Sequence, residues 1–137
     1  MNTRKMKNDL IFLKTGTYRG MAIGDSIEKL KETIKEPFHN MSDGDTEIYS
    51  DDTGTEFTFI NNELRMIVLK SFKNEFLCMK FNRMIKKLNK RGINWHFNKD
   101  LIFDKQLTIQ IGFSSVDLIF DLEHQDGPIL RKVGLYK

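Results

Sequence analysis

The stretch Glu56-Phe57-Thr58-Phe59, followed by Leu64-Arg65-Met66-Ile67-Val68-Leu69, sets the fold class of this chain. A second stretch has the same pattern, since Asp117-Leu118-Ile119-Phe120 is followed by Leu130-Arg131-Lys132-Val133-Gly134-Leu135. Phe57 and Phe59 alternate with polar neighbours, as is typical of a half-buried strand. Asn61-Asn62 suits a hairpin turn, because Asn tolerates positive φ. Both stretches therefore predict antiparallel strand pairs.

Helical patterns precede both stretches. The first helix is predicted to begin at Asp25, which can cap it with Glu28 at the third position, and to end before Pro37. Its buried stripe is Ile27, Leu30 and Ile34. The second helix is predicted over 74–91, capped by Asn74, with Gly92 suited to the position after its end.

The remaining apolar segments predict further strands. Besides 56–60 and 64–69, they cover 9–14, 18–23, 47–50, 93–97, 107–111, 116–122 and 129–136. We expect a single α+β domain over 1–137, an antiparallel β-sheet with two main helices packed on it. The two similar stretches either mark two helix-plus-β-meander repeats or are half-buried hairpins that look alike over few positions.

The composition indicates a folded chain of one domain. It has 137 residues, 39% of them hydrophobic, and 11 are Phe. One cysteine permits no internal disulfide, and three histidines with it cannot form a closed zinc site at the usual spacings. We therefore expect no metal and no cofactor. No signal peptide or membrane-spanning stretch is evident, so we expect a cytoplasmic protein without a membrane partner.

The net charge of +3 hides a segregation of charge along the chain. Residues 25–57 hold ten acids and three bases, a net −7, whereas residues 70–92 hold eight bases and one acid, a net +7. Each segment could simply be a solvated face that keeps a small domain soluble. Each could also recognise a partner, because clustered charges steer encounter and fix orientation.

The acidic segment is the predicted partner-binding site. Its carboxylates would meet a basic protein surface, and Tyr49 would supply an aromatic anchor. The predicted contact residues are Asp43, Asp45, Glu47, Tyr49, Asp51 and Asp52.

The basic helix over 74–91 is the alternative site, for a nucleic-acid-binding or regulatory module. Its bases recur on one helical face at Lys80, Arg83, Lys87 and Lys90. The small net charge makes nucleic acid the less expected partner. A third alternative is a small-ligand pocket between sheet and helices near Trp95.

No nucleophile paired with a base is recognisable, and Gly20 and Gly24 belong to no phosphate-binding glycine pattern. His96 follows Trp95 within a predicted strand, where a structural role outweighs a catalytic one. The sequence therefore predicts no catalytic residues, no small-molecule substrate and no enzyme.

The segment 16–30, Gly-Thr-Tyr-Arg-Gly-Met-Ala-Ile-Gly-Asp-Ser-Ile-Glu-Lys-Leu, followed by Ile34, Pro37 and a hairpin, resembles the opening of many small bacterial immunity proteins. Leu88-x-x-x-Gly92-Ile93-x-Trp95 and Val116-x-Leu118-x-Phe120 are similar to their second halves. The helix opening also resembles the repeats of β-lactamase-inhibitor-like proteins, which are exported protein binders.

The resemblance to immunity proteins implies a non-catalytic antidote. Such proteins bind and neutralise a cognate toxin domain of a polymorphic or contact-dependent growth-inhibition system in the bacterial cytoplasm. Antidotes to nucleases are often strongly acidic overall, and this chain is not. The resemblance therefore leaves the activity of the toxin open, with a nuclease as one candidate.

Overall fold

The computed structural model describes residues 3–69, 79–99, 105–123, 125 and 127–137. The elements of this part, in chain order, are α1 (Thr3–Thr15), α2 (Ile27–Thr33), β1 (His39–Asp43), β2 (Thr46–Ser50), β3 (Glu56–Ile60), β4 (Glu63–Leu69), α3 (Phe81–Lys90), β5 (Trp95–Phe97), β6 (Gln106–Ile111), β7 (Asp117–Asp121) and β8 (Ile129–Tyr136). The strands form one antiparallel sheet in the order β1-β2-β3-β4-β8-β7-β6-β5. The predicted α+β class is confirmed.

The sheet consists of two four-stranded meanders, each preceded by a helix. Helix α2 precedes β1 to β4, and α3 precedes β5 to β8. The last strands of the two meanders pair at the centre of the sheet, where Ile67 lies opposite Leu135 and Leu69 opposite Val133. Ile67 corresponds to Val133 and Leu69 to Leu135 in the two similar stretches, so these pairs are related by an approximate twofold axis.

The two meanders also carry the same irregularity. The β3–β4 register shifts between Thr58 and Phe59, and the β7–β8 register shifts between Ile119 and Phe120. The bulged residues are Arg65 and Arg131, which have no partner residue in the β3–β4 and β7–β8 registers. Each is the second residue of the repeated Leu-Arg motif. A bulge at equivalent positions in two hairpins is a repeated structural feature. The architecture is therefore two helix-plus-meander units, as the similar stretches suggest.

The core lies between the helices and one face of the sheet. Alternate residues of the strands, such as Phe57, Phe59 and Phe120, are fully buried in one continuous cluster. The same cluster includes Phe12 of α1, Leu30 of α2 and buried residues of α3. The helices therefore cover one face of the sheet, and the opposite face carries the intervening side chains.

A third helix occupies the position of the predicted strand 9–14. Its buried residues are Asp9, Phe12 and Leu13, which recur at i, i+3 and i+4, whereas Ile11 is exposed. That spacing is helical, but a run of four apolar residues does not by itself separate helix from strand. The strand prediction is wrong, and the described part of the chain has three helices rather than the two predicted.

The predicted strand 18–23 is only a tight turn. Tyr18 and Met21 exchange both backbone hydrogen bonds at 2.9 Å, and the two residues between them, Arg19 and Gly20, have positive φ. The helix that follows is capped one residue later than predicted. Ser26 Oγ accepts a hydrogen bond from Lys29 N at 3.2 Å, while Asp25 Oδ2 accepts one from Ala22 N.

Both predicted helices are shorter in the structure. Helix α2 ends at Thr33, before Pro37 is reached. Helix α3 begins at Phe81, because Lys80 is extended and bridged to Ile129 at the start of β8. The proposed cap Asn74 lies outside the described residues. The glycine after α3 is confirmed in the left-handed conformation, since Gly92 has a φ of 68°.

Candidate functional site

The acidic segment forms the outermost hairpin of the sheet. Strand β1 is exposed at all five positions, and Asp43 and Asp45 flank the tight turn at Gly44. Asn61 N donates to Asp45 O at 3.0 Å, which places the β3–β4 turn beside them. That turn also reaches α2, because Asn62 Nδ2 donates to Glu28 Oε2 at 3.1 Å. We call Asp43, Asp45 and Glu28 the acidic rim.

The predicted contact residues do not form one surface. Asp43 and Asp45 precede β2, whereas Asp51 and Asp52 follow it at the opposite end of the hairpin. The five residues of β2 span about 16 Å at ~3.3 Å each. The six predicted residues are therefore divided between two ends of the sheet.

Asp51 is a structural residue in the β2–β3 loop. Its carboxylate is fully buried, and Oδ1 accepts hydrogen bonds from Thr53 N at 2.9 Å, Thr53 Oγ1 at 2.7 Å and Thr55 N at 3.0 Å. Oδ2 accepts one from Arg19 Nη1 at 3.2 Å. A carboxylate with all of these contacts inside the protein is not available to a partner.

Tyr49 does not serve as an exposed anchor. It is only 7% exposed, and its ring packs edge-on against Phe38 and Phe59. Its hydroxyl donates to Glu47 Oε1 at 3.2 Å, so Glu47 is also engaged on the helix side of the sheet. Burial, together with the nearby Glu47 charge, raises the pKa of Tyr49.

Three carboxylates converge near Arg19 at the end of the sheet opposite the acidic rim. Glu36, Asp51 and Asp52 have oxygens within 4.8 Å of one another, close enough to ligate one metal ion. Arg19 Nη1, however, lies 2.7 Å from Glu36 Oε1 and 3.2 Å from Asp51 Oδ2. Its hydrogen bond holds the pKa of Glu36 below the usual range. The guanidinium thus supplies the positive charge that the carboxylates need.

Phe113 is a surface residue that sequence reasoning missed. It is 87% exposed, in the turn between β6 and β7. Hydrogen bonds fix this turn, from Ser114 Oγ to Leu13 O at 2.7 Å and from Gly112 N to Asn94 O at 2.9 Å. A phenylalanine among Gly and Ser between two predicted strands is the signal that could have revealed it.

The turn of Phe113 lies at the same end of the sheet as the acidic rim. The strand registers place the β1–β2, β3–β4 and β6–β7 turns together at this end. Five strand spacings separate the first turn from the last, which is about 24 Å at ~4.8 Å each. An interface of ~800 Å² per partner is about 30 Å across, so one partner can cover both.

The predicted basic residues share the outer side of α3. Arg83, Lys87 and Lys90 line one shallow groove, together with Lys86 and Arg91. Lys80 lies in the adjoining groove at the start of the helix, which also includes Arg83. The structure therefore brings all four predicted bases to one helix surface.

A polar cluster occupies the sheet face that the helices leave open. Asp117 Oδ1 accepts hydrogen bonds from Asn98 Nδ2 at 2.8 Å and Gln110 Nε2 at 3.1 Å, and His96 Nε2 lies 3.2 Å from Gln110 Oε1. Burial raises the pKa of Asp117, and the two amides partly offset that shift. The amides separate the histidine from the carboxylate, so the two do not form a proton-transfer pair.

Asp117→Asn is expected to stabilise the protein more at pH 7 than at pH 3.5. Because the folded-state pKa of Asp117 is raised, its contribution favours folding at low pH and is lost as the pH rises through that pKa. Asn does not titrate. The check is urea unfolding of both proteins at each pH. A difference in unfolding free energy that is the same at both pH values would contradict the assignment.

Trp95 belongs to the packing at the edge of the sheet. Its Nε1 donates to Asn89 Oδ1 of α3 at 3.0 Å, and its ring stands edge-on to Phe97 at 5.6 Å. The indole thus links β5 to α3.

No family model, curated protein or solved structure matches this chain. Among the described residues, no helix is long and apolar enough to span a membrane.

Proposed function

We propose that this chain is a non-catalytic immunity protein that binds and neutralises a cognate bacterial toxin domain in the cytoplasm. The observation that carries the proposal is the end of the sheet where the acidic rim and Phe113 lie together. This surface combines exposed carboxylates with the large exposed side chain of Phe113, and it spans the width of an ordinary protein interface.

We expect the acidic rim to orient the toxin domain and to raise its association rate. Asp43 and Asp45 are exposed on an edge hairpin and form no ion pair within the described part of the chain. Unpaired carboxylates on a protruding turn attract a basic surface before contact. A toxin domain that binds nucleic acid has such a surface, so a nuclease is one candidate class of toxin.

Phe113 supplies binding energy. Burying a phenylalanine side chain is worth about 1.5–3 kcal/mol, and a side chain held by a fixed turn loses little further freedom on binding. The hydrogen bonds of Ser114 and Gly112 hold the turn in place without a partner. Phe113 therefore replaces Tyr49 as the proposed aromatic anchor.

A binding role also agrees with the chemistry of the clustered charges. Arg19 forms ion pairs with Glu36 and Asp51. Asp117 accepts hydrogen bonds from the side-chain amides of Asn98 and Gln110. Neither arrangement resembles a nucleophile activated by a base. The proposal therefore assigns no catalytic residue and no cofactor.

The test uses the purified chain and the toxin domain encoded directly beside its gene. We expect a complex by calorimetry and rescue of growth when both are expressed together. Asp45→Lys and Phe113→Ala should each weaken binding about 10–100-fold, because one reverses a charge of the acidic rim and the other removes the anchor. Asp52→Lys, the same charge change at the opposite end of the sheet, is the matched control and should change affinity less than threefold.

Two results would overturn the proposal. One is the lack of an adjacent toxin gene, or of any complex with its product. The other is a complex that Asp52→Lys weakens while Asp45→Lys and Phe113→Ala leave it unchanged, which would reject this surface.

A further inference from the structure

The outer side of α3 is strongly basic. Residues 79–92 include six bases and no acid. Met84 and Leu88 are buried and Phe81 and Ile85 pack against the core, whereas Arg83, Lys86, Lys90 and Arg91 are exposed to solvent. The bases are Lys80, Arg83, Lys86, Lys87, Lys90 and Arg91.

These bases form a continuous surface. One groove, of about 470 Å³, is lined only by Arg83, Lys86, Lys87, Lys90 and Arg91. A second, of about 450 Å³, shares Arg83 and Lys86 and extends to Lys80 and Pro128. Within the described residues, Arg83, Lys86, Lys90 and Arg91 have no carboxylate at ion-pair distance. Among the described residues, no carboxylate therefore neutralises these four bases.

The acidic rim is too far away to compensate for it. Phe81 packs against Phe120 of β7 at 5.1 Å, and Asn89 bonds to Trp95 of β5, so α3 lies over the second meander. From β7 to β1 there are five strand spacings, about 24 Å. At physiological salt the screening length is about 8 Å. The local positive charge near α3 is therefore larger than the net charge of +3 indicates.

The spacing of the bases suits a row of phosphates. Arg83, Lys86 and Lys90 recur at i, i+3 and i+7, and residues three or four positions apart lie ~5–6 Å from each other on a helix surface. Side chains of this length can each reach a separate phosphate of one backbone.

The aromatic residues favour a duplex over a single strand. Single strands need exposed rings on which bases stack, but Phe81 is packed against Phe120. Among the described residues, the exposed ring of Phe97 stands against Trp95, whose indole bonds to Asn89. Asn89 is about 160° around the helix from Lys87, at 3.6 residues per turn. Among the described residues, no aromatic side chain lines the first groove, and Phe81, which lines the second, is packed against Phe120.

We infer that the outer face of α3 binds the phosphate backbone of double-stranded DNA without regard to sequence. The exposed helix, about 10–12 Å wide, fits the major groove of B-form DNA, whereas the major groove of duplex RNA is too narrow. This activity is separate from the proposed immunity function, because it uses another surface and another partner.

The test is fluorescence anisotropy with a labelled 20-base-pair DNA duplex and the full chain. With about five phosphate contacts, log K should fall with log salt at a slope of about −4.5, a loss of roughly 500-fold between 50 and 200 mM salt. Arg83→Glu with Lys90→Glu should weaken binding at least tenfold at 50 mM salt and flatten the slope by about 2. Lys132→Glu with Lys137→Glu makes the same charge change on exposed residues outside α3 and is the matched control.

Further probes distinguish duplex DNA from other polyanions. A single strand of the same sequence, an RNA duplex and phosphatidylserine vesicles should each bind more weakly than the DNA duplex. The inference is overturned by no binding at 50 mM salt, by equal losses in the two double variants, or by tighter binding of any of these other probes. None of these results depends on a toxin, so they leave the proposed immunity function unaffected.

Discussion

Phe120→Ala is expected to lower the free energy of unfolding by about 3–5 kcal/mol. Phe120 is fully buried in β7, its ring packs against Phe81 of α3 at 5.1 Å, and it follows the register shift between β7 and β8. Truncation removes the contacts that seat α3 on the second meander and leaves a cavity that the antiparallel strands cannot easily close. Small domains have ~5–15 kcal/mol in all, so a large part of the stability is at risk.

Urea unfolding followed by circular dichroism measures this effect. Phe113→Ala is the matched control, because it deletes the same atoms from a side chain that is 87% exposed. We expect that variant to stay within about 0.5 kcal/mol of the parent protein. If the two substitutions destabilised the chain equally, Phe113 would be part of the core, and its role as an anchor would be lost as well.

Asp51→Ala is expected to cost about 2–4 kcal/mol of stability, since it leaves buried donors without an acceptor. The donors are the backbone N–H groups of Thr53 and Thr55 and the hydroxyl of Thr53, all of which bond to Oδ1. Arg19 would also lose its one buried carboxylate partner among the described residues, although the partly exposed Glu36 remains beside it.

Two further variants separate the contributions at this position. Asp51→Asn keeps an oxygen for the Thr53 and Thr55 donors but removes the charge beside Arg19, so we expect an intermediate loss of about 1–2 kcal/mol. Asp52→Ala is the control, because its side chain is 73% exposed and lies 3.9 Å from Arg19, and we expect little change. The measurement is again the urea midpoint. An Asp51→Ala variant as stable as the parent protein would contradict the structural role of Asp51. Asp51 would then again be a candidate contact residue.

The meanders and turns of this fold could be predicted from sequence because their signals are local. Strand β8 has the predicted bounds, β3 lies at 56–60 as predicted, and the predicted turn residues Asn61 and Asn62 both have positive φ. Alternation of apolar residues and the tolerance of Asn for positive φ act within a few residues. Strand β1 was missed, because its five residues are all exposed and show no alternation.

The candidate site could be predicted only in part. The acidic character of the 43–52 segment was recognised, and Asp43 and Asp45 are exposed at its turn. The burial of Tyr49 and Asp51 could not be recognised, because it depends on Phe38, Arg19 and Thr55 folding around them. Phe113 was missed, although its position among Gly and Ser between two predicted strands was a local signal for an exposed turn.

The amino-acid sequence alone determined the α+β class, the two similar hairpins and the segregation of charge, because periodicity, turn chemistry and composition require no knowledge of distant contacts. The tertiary structure decided which charges remain available. It buried Asp51 through Arg19, 32 residues away, and it fixed the turn of Phe113 through Leu13, 101 residues from Ser114. Burial and the position of a turn at one end of a sheet depend on which remote segments pack together, and the local pattern of residues does not contain that information.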